Sequence, residues 1–443
     1  MNHLRRTRQK KECLKFVVPA KAGIHVGNRN IPQKNGFPPS RERQSRFFSL
    51  IIFSCLLSEQ AISASPIIVA PQCLINKSKI PYNTLSVDST FTLIQVSNAA
   101  LEKLVAEKKH SPATCGGFRD VTRAWNEETA KADAQSFLSA YSRSIKPSYA
   151  APQYHINAAD KVNQLFRYLE PDTMWSNLIK LTGFEDRSAT SDAGAAASDW
   201  IAAEIKQIAN DNHRDDVTVY TVETGTRYKQ RSVIAKMGAF LAPGIVIGAH
   251  MDTLSANNYR SKYAPKPGAD DDGSGVVTVL EVARLLFASD MHFNKPVYFI
   301  WYAAEERGLV GADYVVADFK KKNIPINAVL QLDMTGYRYQ NDHTMWLISD
   351  YVDRDLTAFL DTLITTYIKQ PVNYTQCGYA CSDHAIWTLN GYAAAMPSEA
   401  AFQEVNPDIH TSRDTMDKLS LDHMVNYAKL AIAFVVELAG VAG

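Results

Sequence analysis

From about Tyr154 onward, short apolar runs alternate with longer stretches of helical period. SVIAKM, GIVIGAH, PVYFIWYA, AVLQLDM and YAAAMP are continuous apolar runs of strand length. Between them, TSDAGAAASDWIAAEIKQIA places Trp200, Ile201, Ile205 and Ile208 on one face of a helix, and VVTVLEVARLLFAS and YVDRDLTAFLDTLITTYI follow the same period. Strands that are apolar on both faces and alternate with helices predict an α/β fold, a mostly parallel mixed sheet sandwiched by helices. In such sheets the chemistry gathers beyond the carboxyl ends of the strands.

Residues 65–150 read differently. A strand is predicted at FTLIQVS, Phe91 to Ser97, with helices around Ala99 to Lys109 and Glu127 to Arg143, and a turn-rich linker at Lys146 to Gln153. This is a small α+β domain. Its place between a leader and a larger body fits a propeptide that assists folding or blocks a site, and it also fits a permanent accessory domain. The larger domain then spans 151–443.

The chain has 443 residues, 46% of them hydrophobic, and a net charge of +1, so no charge excess argues for a nucleic-acid partner. The basic stretches LRRTRQKK and SRERQSR precede FFSLIIFSCLL, Phe47 to Leu57, which is followed by small residues at Ala61, Ser63 and Ala64. That order is a secretory signal peptide, with 1–64 as leader. Its apolar run is shorter than the ~20 residues a spanning helix needs, so no membrane association is expected after its removal. The residues upstream of the basic flank fit a start assigned too early or a leader discarded with the signal. Export puts Cys73, Cys115, Cys377 and Cys381 in an oxidising compartment. Of the possible pairings, Cys377 with Cys381 is favoured by its small stiff loop, which leaves Cys73 with Cys115. A thiolate zinc site is the weaker rival, since no C-x-x-C pair is present. No coiled coil or long unpaired strand is seen, and a monomer is expected.

Beyond each apolar run stands a residue that can bind metal. GIVIGAH ends in His250, with Asp252 two residues on; PVYFIWYAA is followed by Glu305 and Glu306; AVLQL is followed by Asp333; and a later loop carries His410. PGADDDGSG sets three carboxylates in a row among small residues, which bound cations would turn into ligands. A pair such as Glu305 and Glu306 can also be two acids at a helix N-terminus. His384 reads as structural, and His292 and His343 as surface residues. Ser274 lies in no G-x-S-x-G context, H-E-x-x-H is absent, and three consecutive acids do not make an EF-hand.

HMD, PGADDDGSG, AAEERGLVGA, LQLDMTGY, CGYACSDHAIW and DIHTSRDT occur in this order, and together they resemble the secreted double-zinc aminopeptidases of the M28 peptidase family. The resemblance covers about Tyr154 to Gly443 and implies a zinc-exopeptidase-like fold acting on peptides with a free N-terminus. It implies two Zn2+ per chain, held by His250, Asp271, Glu306, Asp333 and His410, with Asp271 as the bridge and Asp270 as the alternative. Glu305 would be the general base, Asp252 would hold the His250 imidazole, and Tyr379 would donate to the developing oxyanion. Asp272 would orient the loop. Extended backbone would turn Glu305 and Glu306 to opposite sides, and a strained peptide is expected just after Asp271. Met334, Ile348, Met396, Phe402 and Ile409 would line an apolar pocket around Cys377 and Cys381. Ser398 and Val405 stand where the vibrio enzymes of that family have larger aromatic residues, so cleavage after bulky Leu, Phe or Tyr is expected. A single-zinc glutaminyl cyclase of the same fold and a non-catalytic binding protein are the alternatives.

Overall fold

The protein is described here from a computed structural model that covers residues 65–107, 115–128, 133–144, 154–238, 242–254 and 266–442. The predicted leader and linker lie outside these residues.

The N-terminal region of the compact unit Ala61–Gly443 is an antiparallel sheet of β1 (Ile67–Pro71), β2 (Tyr82–Val87), β3 (Phe91–Val96) and β4 (Arg119–Asp120), in the order β2-β3-β1-β4. Helices Gln72–Ser78, Asn98–Glu107, Thr122–Glu128 and Ala134–Ser144 accompany it. Alternation along β1 and β3 divides the core. Ile68, Ala70, Ile94 and Val96 face Leu101 and Leu104, while Ile67, Val69 and Leu93 face Phe137 and Leu138.

The larger domain is built on β5 (Val217–Val222), β6 (Ser232–Met237), β7 (Gly244–His250), β8 (Val297–Tyr302) and β9 (Ile326–Gln331). Further along come β10 (Met345–Ile348), β11 (Val372–Thr375), β12 (Ala394–Ala395) and β13 (Pro397–Ser398). The main sheet has the order β12-β9-β7-β8-β6-β5. Pairing is parallel from β12 to β8 and antiparallel through β6 and β5. A smaller sheet joins β11, β10 and β13. β8 shows why its sequence is apolar throughout. Val297, Phe299 and Trp301 pack under helices Asp192–Asp211, Gly275–Ala288 and Leu421–Ala439, while Tyr298, Ile300 and Tyr302 pack under Val310–Lys321 and His384–Leu389. With both faces covered, every position of the strand is buried.

The bounds read from sequence hold closely for β6 and β7, and the helix expected from Thr190 runs from Asp192 to Asp211. Ser191 caps that helix by accepting the Gly194 N–H. Cys377 and Cys381 are bonded, with an S–S distance of 2.01 Å. Cys73 and Cys115 are not: both remain thiols, in hydrogen-bond contact with each other. The pairing reached by elimination is therefore replaced by a thiol pair.

Candidate active site

Parallel pairing of β9, β7 and β8 sets their carboxyl ends along one edge, with His250 in the middle. Asp333 stands past β9 on one side, and Glu305 and Glu306 past β8 on the other. The loop before helix Gly275–Ala288 brings in Asp271, and the segment before helix Leu421–Ala439 brings in His410. His250 Nε2 lies 3.1 Å from Asp271 Oδ1 and 3.5 Å from Asp333 Oδ1. His410 Nε2 lies 3.0 Å from Asp271 Oδ2 and 3.1 Å from Glu306 Oε2. The result is two groups, His250–Asp271–Asp333 and Asp271–Glu306–His410, each with its ligand atoms within 4.8 Å and both sharing Asp271.

Burial opposes protonation of both imidazoles, yet the charge of Asp333 raises His250 well above its ordinary value, and the charge of Glu306 does the same for His410. Asp271 is also opposed by burial, but its contacts with the two histidines hold it well below the usual carboxylate range. Three carboxylates converge on two imidazoles in a buried space, so positive charge is required there. Imidazole nitrogens beside carboxylate oxygens form a donor set that suits divalent metal.

A second layer of contacts fixes these side chains. Asp252 reaches His250 Nδ1 at 3.6 Å through its carboxylate and 3.2 Å through its carbonyl oxygen. Its carboxylate also accepts the backbone N–H groups of Glu305 and Glu306, at 2.8 and 3.1 Å. Asp272 orients backbone, as expected, accepting from His250, Gly275 and Met334. The peptide between Asp271 and Asp272 is cis. Glu305 and Glu306 are not on extended backbone: Ala304 is left-handed, and the N–H groups of Gly308 and Leu309 both donate to the Glu305 carbonyl. A tight turn, not strand pleating, separates the two side chains.

Three residues of this layer were not among those expected from the sequence. Asp414 accepts the N–H groups of both Asp270 and Asp271 at 3.0 Å. Glu399 accepts from Gly336 and Tyr337, with Asp270 beside it. Arg187 is fully buried, and its guanidinium donates to the carbonyls of Met251, Pro267 and Gly268 at 2.5–2.8 Å. It thereby ties the loop after His250 to the loop before Asp271. Asp414 lies within DIHTSRDT and was open to discovery there; a solitary Arg187 in FEDRS was not.

The expected pocket residues fall into two clusters. Ile348, Met396 and Phe402 pack with Tyr379 and the Cys377–Cys381 bridge, whereas Met334 and Ile409 pack with Val405 and Ala400. Tyr379 meets Phe402 edge to face at 6.0 Å. Ser398 lies in β13 and donates to the Ala400 carbonyl. His384 is buried and kept neutral by that burial, its pKa lowered to about 4, while His292 is exposed near Asp216.

Residues 232–435 match the Peptidase family M28 model. Leucine aminopeptidase 1 of Fusarium vanettenii is 39% identical over 288 residues, which is 63% of this chain and 73% of that protein. The crystal structure of the Legionella pneumophila LapA aminopeptidase is 41% identical, with a TM-score of 0.77, covering 85% of this chain and 98% of its own. LapB from Legionella pneumophila is 40% identical, with a TM-score of 0.77 over 85% and 99%. Residues 154–443 cannot supply that share alone, so both Legionella matches extend into the N-terminal domain. Among the described residues, no helix is long and apolar enough to cross a membrane.

Proposed function

The chain belongs to peptidase family M28 and is a metallo-aminopeptidase, and from that premise we propose that it is exported and works with two zinc ions, releasing bulky apolar residues of the Leu, Phe or Tyr type from peptide N-termini. The observation that carries this reading is two groups of side chains that could each hold a metal ion and that share Asp271, with Glu305 next in the chain to Glu306. His250 and Asp333 would hold one ion, Glu306 and His410 the other, and Asp271 both. Bound zinc would polarise the scissile carbonyl and lower the pKa of a coordinated water. Glu305, on the same turn as Glu306, would serve as the base that accepts the attacking water's proton and as the acid that returns it to the departing amine. Asp252 keeps the turn in place by accepting the N–H groups of both glutamates. Tyr379 donates its hydroxyl proton as a hydrogen bond to the substrate oxygen on which negative charge builds. Apolar side chains of Ile348, Met396, Phe402, Met334 and Ile409 receive the first residue. Support for export comes from the apolar run Phe47 to Leu57 behind its basic flank.

The test is metal analysis of the purified chain together with hydrolysis of Leu-, Phe- and Lys-p-nitroanilide by wild type and Glu305→Gln. Two zincs per chain, cleavage of Leu and Phe over Lys, and a loss of ~100-fold or more in Glu305→Gln are expected. One metal per chain with cyclisation of an N-terminal glutamine would sink the proposal.

A further inference from the structure

The N-terminal domain reaches three of the loops that carry the site. Leu254, two residues past Asp252, joins that domain's core beside Phe118 and Leu101. On the turn that bears Glu305 and Glu306, the Gly308 carbonyl accepts the Asp120 N–H at 3.1 Å, and Arg307 pairs with Glu102 at 2.7 Å. The third contact is with Tyr379. A Cβ on Gly116 would stand 2.7 Å from Cγ and Cδ1 of that ring, and one on Gly117 would stand 3.0 Å from Cε2. Only glycines let a backbone lie this close to an aromatic ring. The ring also meets Phe402 edge to face, and it is 4% exposed.

The seam is anchored on both sides of the glycine pair. Buried Asp313 accepts from Arg119 at 3.1 Å and Arg123 at 2.6 Å, and Asp120 pairs with Arg227. Cys115, next to Gly116, is in hydrogen-bond contact with Cys73 of helix Gln72–Ser78. The backbone that meets Tyr379 is thus held by its own domain as well as by the seam.

We propose that the N-terminal domain is a working wall of the active site and that Gly116–Gly117 is a positioning element that sets the place of the Tyr379 ring. The inference rests on the reading of Tyr379 as donor to the substrate oxygen. A hydroxyl at the end of a ring moves with the ring, and a hydrogen bond to a developing charge weakens over a few tenths of an ångström. The glycine backbone and Phe402 both bear on the ring and so restrict where it can sit.

The experiment measures kcat and KM of the full chain on Leu-p-nitroanilide for Gly117→Ala and Gly116→Ala, each in wild-type and Tyr379→Phe backgrounds, with metal content and thermal unfolding alongside. Gly117 is the cleaner site, because Gly116 also has a φ of +72°. We expect Gly117→Ala to lower kcat about tenfold, short of the ~100-fold that a 1 Å misplacement costs, with KM within about twofold and both metals retained. In Tyr379→Phe that loss should disappear, since the two changes act through one group. Asp313→Asn, which leaves the glycines intact and loosens the seam, should lower kcat in the same Tyr379-dependent way. A rise in activity in any of these variants would overturn the proposal in favour of a cover that shuts the pocket. Unchanged kcat, or a loss that persists in Tyr379→Phe, would overturn it as well. If Tyr379→Phe alone leaves kcat unchanged, the fault lies with the reading of Tyr379, and that outcome needs no glycine variant.

Discussion

Asp271 and Asp270 are adjacent, equally enclosed and chemically identical, yet they belong to two clusters with opposite electrostatics. Asp271 faces His250 and His410 and is held well below its ordinary value despite burial. Asp270 turns the other way, to Glu399, Asn406 and the Gly336 N–H, and burial pushes it up to about 6. Burial and the charge of Asp270 push Glu399 well above its ordinary value too, so this pair shares a proton. Enclosure alone does not make a carboxylate a ligand. What decides is whether the partners it meets are basic or acidic, and that depends on which way a single peptide turns.

The sharpest way to break this contrast is Asp271→Asn, which removes the carboxylate proposed to hold both metals. Activity should fall by ~1000-fold or more and metal binding should be lost, measured by p-nitroanilide hydrolysis and metal analysis. Arg187→Gln should come next, because it frees three carbonyls and unties the two loops that carry His250 and Asp271. We expect metal affinity to drop ~10- to 100-fold by chelator competition, with a lower Tm. In Asp414→Asn, an amide in place of the carboxylate must still accept two N–H groups, and a loss of roughly tenfold in metal affinity is expected. Asp270→Asn should have the smallest effect on activity, within a few-fold, and its signature lies in pH. A carboxyl raised to about 6 from 3.8 stabilises the folded state below about pH 4, and that contribution is lost as pH rises through 6. Thermal unfolding of the metal-free chain between pH 4 and 7 should therefore fall less steeply in Asp270→Asn than in the parent. Equal slopes would mean that the second cluster does not share a proton.

Much of this was legible beforehand because two-sided burial leaves a plain mark. GIVIGAH, PVYFIWYA and AVLQL read as buried strands, so the ends of β7, β8 and β9, and with them His250, Glu306 and Asp333, could be located without coordinates. The choice among Asp270, Asp271 and Asp272 could be made only by motif resemblance. Glu305 and Glu306 were read on extended backbone, because alternation is the only local rule available for a residue pair. The left-handed Ala304 and the turn closed at Gly308 belong to the packing of the following helix. Cys73 and Cys115 were paired by elimination, and elimination carries no distance.

The sequence by itself determined the layered α/β architecture, the edge at which chemistry collects and the residue types gathered there, because periodicity and residue chemistry are local properties of the chain. The tertiary structure decided the rest. Which aspartate faces the histidines, which arginine ties their loops, and which distant glycines meet Tyr379 all depend on contacts between residues far apart in the chain, from 21 positions for Asp271 with His250 to 263 for Gly116 with Tyr379. Such contacts leave no period to read, since a single buried arginine or glycine looks the same in sequence whether or not a partner waits across the fold.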